Sequence, residues 1–143
     1  MDCGVAVLAN QAANYLIGGV VPRRLGNAHP NIVPYQVFPA ADGHLIVACG
    51  NDRQFQSLCR VLDLADVAAD PAHATNGARV ANRETLVARL AAATATRGRD
   101  ALIAALDAAG VPAGPINTVA EALADPQVAA RGLKVAPEGI ASL

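Results

Sequence analysis

The chain has 143 residues, one domain's worth, and its eleven Lys plus Arg against twelve Asp plus Glu give a net charge of −1, which leaves no cationic excess for a phosphate backbone. Alanine fills 33 positions and only four residues are aromatic, so burial rests on Leu, Ile and Val between closely packed helices, and neither an aromatic cage nor a base-stacking platform is on offer. The longest apolar stretch, residues 5–17, is broken by Asn10, Gln11 and Asn14 and falls short of the ~20 residues a membrane span needs. With no cationic leader before an apolar run, the expectation is a cytoplasmic protein with no nucleic-acid or membrane partner.

In chain order, Val5, Leu8, Ala12, Tyr15 and Leu16 recur at helical spacing, and Ala and Val cover much of the remaining surface. This predicts a helix over residues 3–18 buried on more than one side. The pattern then dissolves into a long Gly/Pro-rich loop up to Pro34, a length that marks a linker or a functional segment. Residues 35–38 and 44–49 are β-prone runs around Asp42-Gly43, which predicts a hairpin with a positive-φ turn.

Phe55, Leu58, Cys59 and Leu62 define one face of a helix over residues 52–62, with Asn51 or Asp52 as its cap. Asp70-Pro71 and Thr75-Asn76-Gly77 punctuate the chain before a helix over residues 82–94 carrying Leu86, Val87 and Leu90. Another opens at Thr96 or at Arg99-Asp100, turns Leu102, Ile103 and Leu106 inward, and stops at Gly110. Thr118 and Glu121 have capping-box spacing, and Asp125-Pro126 starts a short helix that ends at Gly132.

The common catalytic motifs are absent: no Walker A loop, no G-x-G-x-x-G, no H-E-x-x-H and no G-x-S-x-G. His29, His44 and His73 share no ligand spacing, and Cys3, Cys49 and Cys59 fit neither a disulfide framework nor a zinc motif, so no metal site is expected and the cysteines read as reduced, partly buried thiols. The densest group of ligand-orienting side chains is Gly50-Asn51-Asp52-Arg53-Gln54, where a strand gives way to a helix N-terminus. Taken alone, Asn51 and Asp52 there also serve as a plain cap and first-turn acid.

Residues 26–35 (Gly-Asn-Ala-His-Pro-Asn-Ile-Val-Pro-Tyr), Asp42-Gly43, residues 50–55, residues 109–115 (Ala-Gly-Val-Pro-Ala-Gly-Pro), Asp125-Pro126-Gln127 and Arg131-Gly132 together resemble, in order and spacing, the family III CoA-transferases, also called the CaiB/BaiF family. The resemblance covers nearly the whole chain and is specific for the family, not for a substrate.

It implies an α+β small domain, with a short antiparallel sheet and several helices, taken from a larger α/β two-domain enzyme whose chains form homodimers. Residues 1–18 would be a large-domain helix, 19–34 a linker, 35–115 the small domain and 116–143 the return segment toward the large domain. The implied reaction moves CoA between carboxylic acids through an aspartyl-acyl anhydride. The aspartate that forms it lies upstream of these residues, so the chain by itself contains no catalytic residue and should be inactive. No cofactor is tightly bound; the coenzyme A thioester is a substrate of the full-length enzyme, with acyl-CoA and an acceptor acid as its partners.

By the same resemblance, Gly26, Asn27, His29, Asn51, Asp52 and Gln54 would line the substrate site. Asp52 would face the acyl pocket, where racemases of the family carry an acidic residue. Two further readings stand beside this one: a fragment of an α-methylacyl-CoA racemase, and a non-catalytic truncated product.

Overall fold

The computed structural model describes residues 1–134; the final part of the expected return segment lies outside the described residues. The hairpin forms as its alternation dictates. Strand β1 (Tyr35–Ala40) pairs antiparallel with β2 (Gly43–Ala48), Tyr35 opposite Ala48 and Ala40 opposite Gly43. On β2, Leu45 and Val47 are buried while His44 is exposed and Ile46 only half-buried, as period-2 geometry requires.

The turn differs from expectation. Neither Ala41, Asp42 nor Gly43 has a positive φ. The turn is held from outside instead: the Ala41 N–H donates to the Arg97 carbonyl at 2.8 Å, and the Asp42 carboxylate accepts from the Arg99 N–H at 2.7 Å.

Beyond the hairpin run α3 (Asp52–Val61), α4 (Ala65–Ala69), a 3₁₀ turn (Pro71–His73), α5 (Asn76–Ala81), α6 (Arg83–Thr94) and α7 (Arg99–Ala108). The elements between α3 and α6, foreseen only as punctuation, include two short helices. Thr75 caps α5 by accepting from the Ala78 N–H. Gly110, at φ +72°, turns the chain out of α7. It then enters a third strand not foreseen from sequence, β3 (Ala113–Pro115), which pairs antiparallel with β2 and makes the sheet order β1-β2-β3.

One face of this sheet packs against α6 and α7, and α3 packs on α7. Phe38, Leu45, Val47, Phe55, Leu58, Leu86, Leu90, Leu102 and Leu106 form the buried centre, with Val33 and Val111 closing it. Helices α8 (Val119–Ala124) and α9 (Pro126–Ala130) follow, each capped as expected, the first by a complete Thr118–Glu121 capping box and the second by Asp125. The fold class of the described residues is α+β.

The N-terminal expectation needs correction. Residues 3–18 do not form one helix buried on several sides. They form α1 (Asp2–Ala6) and α2 (Ala9–Gly18), separated at Val7-Leu8, with Ala9 at φ +44°, and neither helix has a buried residue. Val7, Leu16 and Ile17 are each more than three-quarters exposed. The sequence signal was real, but the described chain supplies no apolar surface to meet it; the tie between α2 and the rest is polar, a pair of reciprocal amide hydrogen bonds between Asn14 and Asn31 at 3.1 and 2.9 Å. Cys3, on α1, is accordingly exposed, whereas Cys49 and Cys59 are buried.

Candidate functional site

The loop before β1 is a built structure. Gly26 adopts φ +60°, a conformation that disfavours any residue with a Cβ. Asn27 follows, and its side-chain oxygen accepts from the Val37 N–H at 2.9 Å, which fixes the loop to the outer edge of β1. The His29 N–H donates to the Tyr35 carbonyl at 2.9 Å, and its ring stacks on Tyr35 with centroids 5.3 Å apart and planes 6° apart. Because His29 Nδ1 accepts from the Asn31 N–H at 3.1 Å, the neutral ring carries its proton on Nε2.

The second group is organised by its own turn. Asn51 is the cap of α3, accepting from the Gln54 N–H at 2.9 Å. Gln54 closes the turn in return: its side-chain oxygen accepts from the Gly50 N–H at 2.7 Å and its amide donates to the Gly110 carbonyl at 3.4 Å. Asp52 is not the cap. Its carboxylate takes a 2.7 Å hydrogen bond from Arg79, and its side chain is 54% exposed.

Arg79 joins the two groups, and sequence reasoning missed it. The residue is fully buried in α5. Nε donates to the Val33 carbonyl at 2.7 Å, Nη1 to the His73 carbonyl at 3.0 Å and Nη2 to Asp52, while the guanidinium lies 4.5 Å from the centre of the Phe55 ring. Asn76, one turn earlier, donates to the Asn31 carbonyl at 2.7 Å and accepts from the Val33 N–H at 3.1 Å. One turn later, Arg83 donates to the His29 and Pro30 carbonyls at 2.9 and 2.8 Å. Side chains from α5 and the start of α6 thus hold the backbone of residues 29–33 along its length. The readable signal was the helical spacing of Asn76, Arg79 and Arg83, although the chain breaks at Asn82 between α5 and α6; nothing in a single sequence says that these side chains turn inward.

So Gly26, Asn27 and His29 come together against β1, Asn51, Asp52 and Gln54 come together at the start of α3, and Arg79 bridges the sets through Val33 and Asp52. The site holds no activated thiol. Burial pushes Cys49 up to about 12 and Cys59 up to about 11, with the nearby Arg79 charge opposing but not cancelling the effect. Among the described residues, no three His, Cys, Asp or Glu side chains gather into a metal-binding group, and no helix is long and apolar enough to cross a membrane.

The helices and three-stranded sheet define an α+β unit, and its likeness to known proteins is specific. The family model for CoA-transferase family III matches residues 1–138, and the chain belongs to that family. It is 52% identical over 135 residues to the succinate–glutarate CoA-transferase of Agrobacterium fabrum, an alignment covering 94% of this chain and 34% of that protein. Against the human succinyl-CoA:glutarate CoA-transferase it is 40% identical over 138 residues, covering 93% of this chain and 32% of that one. The crystal structure of a CaiB/BaiF family protein from Brucella suis superposes with a TM-score of 0.82 at 56% identity, covering 96% of this chain and 36% of the other. The chain therefore spans about a third of the length of the relatives it matches.

Proposed function

We propose that these residues are the small-domain third of a longer acyl-CoA transferase that moves CoA between carboxylic acids, dicarboxylates of the succinate and glutarate type among them. The observation that carries this reading is the 52% identity to the Agrobacterium fabrum succinate–glutarate CoA-transferase, sustained over 135 residues. In this reading residues 1–18 belong to the large domain, 19–34 form the linker, 35–115 the small domain and 116–143 the return path.

The anhydride-forming aspartate is supplied from outside this chain, and the whole protein is a cytoplasmic homodimer. Gly26, Asn27, His29, Asn51, Asp52 and Gln54 present their loop and turn toward the acyl substrate, and Arg79 keeps the two in register as a positioning residue. Transfer is favoured over racemisation because the relatives described above carry transferase names.

The test is a graft. The matching third of the Agrobacterium fabrum enzyme is replaced by this chain, and CoA transfer from succinyl-CoA to glutarate is followed by mass spectrometry. The expected outcome is a folded chimera that forms glutaryl-CoA, while the 143-residue chain alone forms none. A folded, dimeric chimera that transfers CoA to no dicarboxylate overturns the reading.

A further inference from the structure

Within the loop of residues 26–35, His29 is bonded on every side but one. Its N–H donates to the Tyr35 carbonyl at 2.9 Å, its carbonyl accepts from Arg83 Nη2 at 2.9 Å, and Nδ1 accepts from the Asn31 N–H at 3.1 Å. Nε2 has no partner among the described residues. The residue is partly exposed, and the enclosed side-chain atoms left without a partner are His73 Nδ1 and Arg83 Nη1, so the unpartnered Nε2–H of His29 is open to solvent. A ring with its proton on Nε2 and its Nδ1 lone pair already engaged offers a donor and no acceptor. It can polarise an oxygen atom, but it has no free lone pair with which to act as a general base.

The direction of that donor is fixed. The ring lies parallel to Tyr35, with centroids 5.3 Å and planes 6° apart, and a half-turn would put a carbon in place of Nδ1 and strand the Asn31 N–H. Asn31 is anchored in its turn: its carbonyl accepts from Asn76 at 2.7 Å, and its side chain exchanges hydrogen bonds of 3.1 and 2.9 Å with Asn14 of α2. Asn27 ties the same loop to β1 through the Val37 N–H at 2.9 Å. The orientation is therefore set before any ligand arrives, which is what a donor needs in order to stabilise charge that develops only during a reaction.

We propose that His29 Nε2–H is the hydrogen-bond donor to the carbonyl oxygen of the reacting acyl group. The inference rests on the transferase reading and gives one residue of that site a step. When a carboxylate oxygen attacks the thioester carbon, a C–O bond forms and the C=O π pair moves onto the carbonyl oxygen. As the tetrahedral species collapses, that pair restores C=O and the C–S bond breaks, its electrons leaving on the CoA sulfur. The negative charge on the oxygen exists only between those two events, and the Nε2–H bond strengthens there without giving up its proton. The nucleophile comes from elsewhere in the longer polypeptide, while this chain supplies the group that meets the charge.

The grafted chimera described above carries the test, with succinyl-CoA and glutarate as substrates. In H29N the side-chain oxygen takes over from Nδ1 opposite the Asn31 N–H and no donor reaches outward. H29F keeps the stack on Tyr35 and loses both ring nitrogens, and H29Q returns an N–H near the position of Nε2. The expected result is a kcat lower by about 100-fold in H29N and H29F, KM for either substrate within about threefold of the parent, and a kcat at least about tenfold higher in H29Q than in the variants without a donor. Either of H29N and H29F suffices if the other does not fold. A kcat within about threefold of the parent in H29N or H29F, a loss carried by KM, or an H29Q no better than the variants without a donor overturns the proposal and leaves the transferase reading standing. A folded chimera that transfers no CoA with His29 in place overturns the transferase reading, and this assignment with it.

Discussion

A guanidinium with no solvent exposure is costly to bury, and at Arg79 three acceptors and an aromatic face offset that cost. Removing the charge strands the Val33 and His73 carbonyls and the Asp52 carboxylate together. We expect Arg79→Met to lose about 2–5 kcal/mol in urea unfolding, the scale of two buried carbonyls left without a donor. Asp52→Asn should lose only about 1–2 kcal/mol, since an amide oxygen still accepts from Arg79 and Asp52 is half exposed. The buried thiols give a pH signature. Their folded pKa values, about 12 and about 11, lie above the ordinary 9.0, so the stability they contribute is fully present below pH 9.0 and is lost as pH rises through the folded values. Unfolding free energy should therefore fall above pH 9.0, and Cys49→Ala should flatten that slope. Arg79 was illegible in the sequence because arginine is rarely buried without partners, and two of its three partners are backbone carbonyls, which carry no residue-type signal. Asn51 was legible because capping is local: the acceptor and the N–H it serves are three residues apart.

The same contrast between local and distant causes governs the elements. Strands β1 and β2, the core faces of α3, α6 and α7, and the caps at Thr118 and Asp125 followed from patterns a few residues long. Strand β3 did not, since Ala113-Gly114-Pro115 has no β propensity of its own and exists because β2 offers it an edge. The break between α1 and α2 was equally hidden, because the apolar spacing runs on through Val7 and Leu8. At the hairpin, the Asp-Gly signal was correct about where the chain reverses and wrong about how. Asp42 works as a cap for α7, whose own capping residue Gly98 has no side chain to offer. Asp42→Ala is expected to lose about 0.5–2 kcal/mol and Asp42→Asn far less, measured by thermal or urea unfolding. Equal losses for the two variants would mean that the charge, not the cap, holds the turn.

For the molecule as a whole, apolar exposure is unevenly distributed. The core from Val33 to Val111 is closed, yet Val5, Val7, Leu8, Tyr15, Leu16, Ile17, Val20 and Val21 all lie more than half exposed at one end. Surfaces of this kind seldom stay in contact with water. Sedimentation of the 143-residue chain should therefore show reversible association with rising concentration, and the pair Leu16→Glu and Ile17→Glu should return it to a 14.5 kDa monomer without loss of the helical signal from the core. A wild-type chain that stays monomeric throughout would show that this end is satisfied within the chain.

The sheet order β1-β2-β3 also carries a consequence for how the chain is made. The middle strand is synthesised second, and its far edge is covered only by residues that follow the whole run of helices α3 to α7. On the ribosome, β2 accordingly waits with one row of peptide groups uncovered until Pro115 has left the exit tunnel. An open edge of that kind is a template for a neighbouring nascent chain. Chains released before Ala113 should therefore clump irreversibly through that edge, whereas chains released just after Pro115 should keep only the reversible association of their N-terminal end, which makes three residues of weak intrinsic preference the point at which the sheet becomes safe to let go.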